Sequence, residues 1–221
     1  MNADAASRTG SAGWWPWALT VGAVALFIGG MLHPRKDPAL SGHAAEAAWI
    51  GDPMWVPSHA LVLLSSTLFA LGLVGLLRHR PDLPAAARRA GWTAVAGAVL
   101  SVIENVPHLA ATTESDAAAA GHATPFLSTH MVLALLAFPL FGFSVAALAA
   151  LSKRHLAHPA LGVGAVIGGI SWGLAPWVVG PLGLESFNVL FIVGMLMALW
   201  FAAVGIGSLI PARRTASGAA Q

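Results

Sequence analysis

The sequence predicts an all-α integral membrane protein, six transmembrane helices in an up-down bundle with both termini cytoplasmic, and three observations carry that reading. First, of 221 residues 57% are hydrophobic and only 9% charged, with a mean hydropathy of +0.75; soluble domains carry roughly a quarter charged residues. Second, six apolar segments recur, at 17–33, 56–77, 91–110, 126–151, 160–180 and 186–210. Each is close to the ~20 residues that cross ~30 Å of hydrocarbon as helix, and helix satisfies its own backbone in lipid. Third, basic residues fall on one side if the six spans alternate: Arg8, Arg78, Arg80, Arg88, Arg89, Lys153, Arg154, Arg213 and Arg214, against Arg35 and Lys36 on the other. The positive-inside rule then places the chain in the cell membrane as a multi-pass protein with cytoplasmic ends. The alternating pattern of a membrane barrel is absent.

Residues 1–13 are small and polar and read as a disordered cytoplasmic N-terminus; Trp14, Trp15 and Trp17 anchor the first span behind them. The chain then reads as one domain over 1–221, with 212–221 a disordered C-terminal tail. Loops 78–90 and 152–159 are short, charged and rich in helix breakers. The outer loops are 34–55, 111–125 and 181–185, and the first has the composition for a short interfacial helix around 41–50. With no cysteine and no tyrosine, disulfides, thiolate ligands and phenolic chemistry are excluded. The basic balance points to anionic lipid, not nucleic acid.

A weak internal repeat runs through the first four spans. The first hairpin carries His33, His43 and His59, the second His108, His122 and His130. In each, one His ends an outgoing helix, one sits in the outer loop, and one lies a turn inside the returning helix. Such repeats of helices 1–2 and 3–4 commonly frame a site between them. Spans five and six contain no His. Gly164, Gly168, Gly169 and Gly173 on span five instead give two small-xxx-small registers, which buttress the bundle or form a homo-oligomer contact.

The chemistry concentrates on span three. Gly97, Ser101, Glu104 and His108 recur along one helical face, and Pro107 removes a backbone hydrogen bond there. A carboxylate inside a span is costly and marks function by default. His59 and His130 enter spans two and four at about the depth of His108, which predicts three imidazoles and one acid at one level. That set, His59, His108, His130 and Glu104, with His33 completing the shell, suits Zn²⁺, Fe²⁺ or Cu²⁺ with an open coordination position. Glu104 is either a ligand or the catalytic base. His33 with Asp37, and His43 with Glu46, stand in the first outer loop, where they could complete a metal shell, orient imidazoles through their carboxylates or lid the site, whereas His122 reads as solvated.

Four functions fit these residues. The first is a metalloenzyme acting on a lipid-like or quinone-like substrate that arrives from the outer leaflet. The second is a b-type cytochrome with His59 and His130 as axial ligands of haem b. The third is a metal-free acid–base enzyme of the isoprenoid-cyclase kind, with Glu104 as proton donor and Trp172 and Trp177 lining its cavity. The fourth is a non-catalytic subunit whose polar cluster locks helix packing. No Walker A, GxSxG or HExxH motif is present.

Overall fold

The computed structural model describes residues 13–210, which form an all-helical structure without strands. The expected disordered ends, 1–13 and 212–221, lie outside the described residues apart from Gly13, as do Arg8, Arg213 and Arg214. Six helical segments are long and apolar enough to cross a membrane. They comprise α1 (Trp15–Leu32), α3 (Trp55–His79), α4 (Ala85–Ala110), α6 (Pro125–Ser152), α7 (Pro159–Val179), and a sixth built from α8 (Val189–Gly194) and α9 (Leu196–Leu209). Two short helices, α2 (Gly42–Ile50) and α5 (Ser115–Ala119), occupy the loops at the histidine-bearing end.

The helix at 42–50 agrees with the expected interfacial segment. The loop expected at 111–125 differs. Helix α4 passes into a 3₁₀ turn at Ala111–Glu114 and then into α5, so helical backbone continues to Ala119. This stretch is dominated by alanine, the residue with the best helix propensity. It stops at Gly121, whose φ of +71° is the left-handed conformation that glycine adopts most readily after a helix.

Each span packs against the next in sequence, and α9 returns to pack on α1, so the six spans close into a ring. Its interior is filled by side chains from alternate spans. Phe69 of α3, Phe141 of α6 and Phe201 of α9 stack with centroids 4.5–6.2 Å apart, and Leu19, Leu73, Leu148 and Trp200 close around them. Small residues set how closely the helices approach. A Cβ on Gly97 would lie 2.6 Å from the Phe141 backbone, so α4 and α6 touch main chain to main chain there. Gly142 meets Gly169 and Gly173 in the same way, and Gly168 faces Gly194 and Met197 of the sixth span. Three of the four glycines singled out on span five are therefore consumed inside the bundle, as the buttressing role requires.

Candidate metal centre

Four imidazoles and one carboxylate meet at one end of this ring. His59 enters from the first turns of α3, Glu104 and His108 from the last turns of α4, His130 from the start of α6, and His33 from the C-terminal end of α1. Antiparallel neighbours joined by short loops bring these ends to one level. The four members carried within helices are almost wholly enclosed, His59 and Glu104 at 0% exposure, His130 at 6% and His108 at 8%. The rings touch in series: His33–His59 centroids lie 4.8 Å apart, His59–His108 3.9 Å, and His108–His130 3.4 Å with planes 20° from parallel.

The hydrogen bonds around the rings decide which nitrogen each leaves free. A backbone carbonyl only accepts, so a ring nitrogen bonded to one must carry the proton, and the other nitrogen of a neutral imidazole then holds the lone pair. His33 Nδ1–H donates to the Pro34 carbonyl at 2.9 Å. His59 Nδ1–H donates to the Trp55 carbonyl at 2.6 Å, with Ser58 Oγ 3.1 Å from the same nitrogen. His130 Nδ1–H donates to Glu104 Oε1, and His108 Nδ1 lies 3.5 Å from that same oxygen. His33, His59 and His130 thus hold Nδ1 on an acceptor and leave Nε2 as the lone-pair nitrogen, while His108 faces Glu104 through Nδ1 at ion-pair range without a hydrogen bond that would fix its tautomer. His59 Nε2 and His108 Nε2 are buried with no hydrogen-bond partner. An orphaned buried nitrogen costs about 1–3 kcal/mol, and a bound cation would give both of them a partner.

Two overlapping triads have the spacing to hold a metal ion. One ligating nitrogen from each of His33, His59 and His108 falls within a 4.8 Å group, and Glu104, His108 and His130 form a second. His108 belongs to both. Outside the spans, burial holds the His33 imidazole below its ordinary pKa, and the bond to the Pro34 carbonyl opposes this.

Glu104 is committed on both oxygens. Oε1 serves the two histidine Nδ1 groups, and Oε2 accepts from Asn105 Nδ2 at 3.0 Å. This is the arrangement of a carboxylate that orients imidazoles. Asn105 was not anticipated, although it stands four residues after Ser101 on the same helical face. Trp55 was also missed as a site residue. Its ring lies 4.2 Å from that of His59, and its Nε1 donates to the His108 carbonyl at 2.9 Å. Trp55 belongs to a second small core with Ile50, Ala111, Ala118 and Leu127, where α2 packs on α5 and roofs the site.

The remaining expected residues divide. His43 and His122 are exposed in the loops at the histidine-bearing end, so the hairpin correspondence brings together only two histidines from each half. Asp37 accepts from the Ala39 backbone at 2.9 Å, and Glu46 accepts from Thr124 Oγ1 at 3.3 Å; the bond that orients the His33 ring comes from Pro34 instead. Glu114, inside the loop expected at 111–125, is buried and accepts from the Phe126 and Leu127 backbone at 2.8 and 3.0 Å, capping α6. Trp172 stacks on Phe138 inside the bundle at 5.0 Å. Trp177 is exposed and donates to the Leu135 carbonyl at 2.9 Å, so it lines no internal wall.

Comparison with protein-family models, with curated proteins and with solved structures yields no match to this chain.

Proposed function

We propose that this is a membrane-embedded metalloprotein, its outward-facing end holding a transition-metal ion on His33, His59 and His108 through their Nε2 atoms. His130 stands beside them as a further ligand, and Glu104 orients His108 and His130. The observation that carries this reading is the set of free nitrogens: His33, His59 and His130 hold Nδ1 on an acceptor, and the buried Nε2 atoms of His59 and His108 have no partner. Three neutral imidazoles with a coordination position left over is the pattern of catalytic sites, and Zn, Cu and Fe all accept imidazole. When bound, such an ion would supply Lewis acidity or redox capacity. The protein's part is to fix the ring orientations and exclude bulk water. A site roofed by α2 and α5 and enclosed by apolar spans suits a lipid-like or quinone-like substrate reaching it from the outer leaflet.

The haem alternative is less well supported. The His108 ring lies within 3.9 Å of His59 and 3.4 Å of His130, so a porphyrin plane between those two axial candidates would have to displace it. Elemental analysis and a visible spectrum of the same detergent-purified sample test the proposal, wild type against His59→Ala and His108→Ala. The expected result is a transition metal, without a Soret band, that both substitutions deplete. A Soret band, or metal content indifferent to both substitutions, would overturn it. Activity that survives exhaustive chelation would favour the metal-free acid–base reading.

A further inference from the structure

One layer below the imidazoles, between them and the phenylalanine stack, lies a cavity of about 20 Å³ whose wall includes Ser65, Ser66, Ser101, Asn105, Phe69 and Trp172. A void of about 10–15 Å³ is enough for one water when two to four polar partners line it. The serines and threonine of these spans normally return their hydroxyl to the carbonyl four residues back. Ser66 does so to Val62, Thr67 to Leu63 and Ser101 to Gly97, at 2.9–3.0 Å. Ser65 does not: its Oγ is 1% exposed as a residue and has no partner. Its O–H is therefore an unused donor at the wall of a void whose other lining includes Leu26, Val62, Phe138 and Phe141.

Asn105 supplies the complement. Its Nδ2 donates to the Ser101 carbonyl at 2.7 Å and to Glu104 Oε2 at 3.0 Å. Both partners are acceptors, so the amide cannot be flipped without setting oxygen against oxygen. The atom left over is Oδ1, an acceptor in a residue 2% exposed, again without a partner. One unused donor and one unused acceptor thus share a wall with Ser66 and Ser101, whose hydroxyls have donated their hydrogens and can still accept. A single water would accept from Ser65, donate to Asn105 Oδ1, and donate its second hydrogen to Ser66 or Ser101.

We propose that this cavity is a built internal water site, and that Asn105, clasped between that water and Glu104, is a positioning residue that keeps the carboxylate turned toward the imidazoles. The water site does not rest on the metal reading, because the Glu104–His130 and Glu104–Asn105 hydrogen bonds form without an ion.

Infrared difference spectra of the full-length protein in detergent, recorded in H₂¹⁶O and H₂¹⁸O, test both halves. The wild type should show an O–H band that shifts with the oxygen isotope. Ser65→Val, which fills the void, should abolish it, and Ser65→Ala, which keeps the room and removes the donor, should move it. The Glu104 carboxyl band, identified by its loss in Glu104→Gln, should shift in both Ser65 variants. A wild type with no isotope-sensitive band would overturn the water site. A Glu104 band that stays at its wild-type position in both variants would overturn the coupling through Asn105. Neither readout requires a metal, so these outcomes are separable from failure of the metal proposal.

Discussion

Glu104→Gln separates a carboxylate that orients ligands from one that is itself a ligand. In the folded chain Oε1 accepts from His130 Nδ1–H and faces His108 Nδ1 at 3.5 Å, while Oε2 accepts from Asn105 Nδ2 at 3.0 Å. Glutamine keeps the shape and only one acceptor. If its oxygen serves the histidines, its NH₂ opposes the Asn105 NH₂, leaving one buried donor contact unmet at about 1–3 kcal/mol. If it turns the other way, the two rings lose their shared acceptor and the preference for Nδ1–H that keeps Nε2 free. Loss of such an outer partner typically weakens metal binding 10–100-fold, or about 1.4–2.7 kcal/mol. Titrating Zn²⁺ against a chromophoric chelator, with wild type and variant in the same detergent, reads this directly. The expected outcome is a Kd raised 10–100-fold with stoichiometry unchanged. A Kd within twofold of wild type would refute the orienting role, and loss of binding at saturating Zn²⁺ would make Glu104 a ligand.

The other predictions follow from neighbouring contacts. His108→Ala, which breaks both triads, should abolish Zn²⁺ binding in the same titration, whereas His130→Ala should weaken it and leave the stoichiometry in place. Glu114→Ala removes the acceptor of two backbone N–H groups at the start of α6. Cap losses run about 0.5–2 kcal/mol, and burial puts this one toward the upper end; thermal unfolding should show it, with metal affinity unchanged. Asp82→Asn breaks a paired contact in which Arg80 Nε and Nη2 each donate at 2.8 Å. These bonds, and then the guanidinium charge, hold the Asp82 carboxyl below its usual range. A carboxyl whose folded pKa is depressed stabilises above its unfolded value near 4 and loses that contribution as pH falls through the folded value. The half-exposed pair should therefore contribute less than about 1 kcal/mol at neutral pH, and wild type and variant should converge in Tm under acid.

Much of the bundle is legible because lipid leaves the chain few choices. A run of some twenty apolar residues must be helix, and the expected spans meet the observed helices within a few residues except at Ala85, where α4 begins before its apolar run. Ring closure is less visible. It rests on α9 returning to α1, and on Gly97 meeting Phe141 and Gly142 meeting Gly169. Alanine and glycine are so abundant here that a small residue at a contact looks the same as one facing lipid. The cap formed by Glu114 is hidden for a different reason. Its partners are the backbone N–H groups of Phe126 and Leu127, and such groups have no letter in a sequence.

The same asymmetry runs through the site. That His59, Glu104, His108 and His130 share a level follows from counting turns along antiparallel spans, and their burial among apolar neighbours follows from where the spans begin. Which nitrogen each ring keeps free depends instead on the carbonyls of Pro34 and Trp55, acceptors that any residue type would provide in the same place. Their usefulness comes from geometry alone: His33 follows the end of α1, and His59 lies one turn past Trp55 at the start of α3, where main-chain carbonyls stand within reach of a ring. The chemical competence of these imidazoles is thus set by backbone that residue identity does not record. Substitutions at Pro34 or Trp55 that preserve the main chain should leave the His33 and His59 tautomers intact, whereas Glu104→Gln should disturb that of His130 wherever the new NH₂ turns toward the rings.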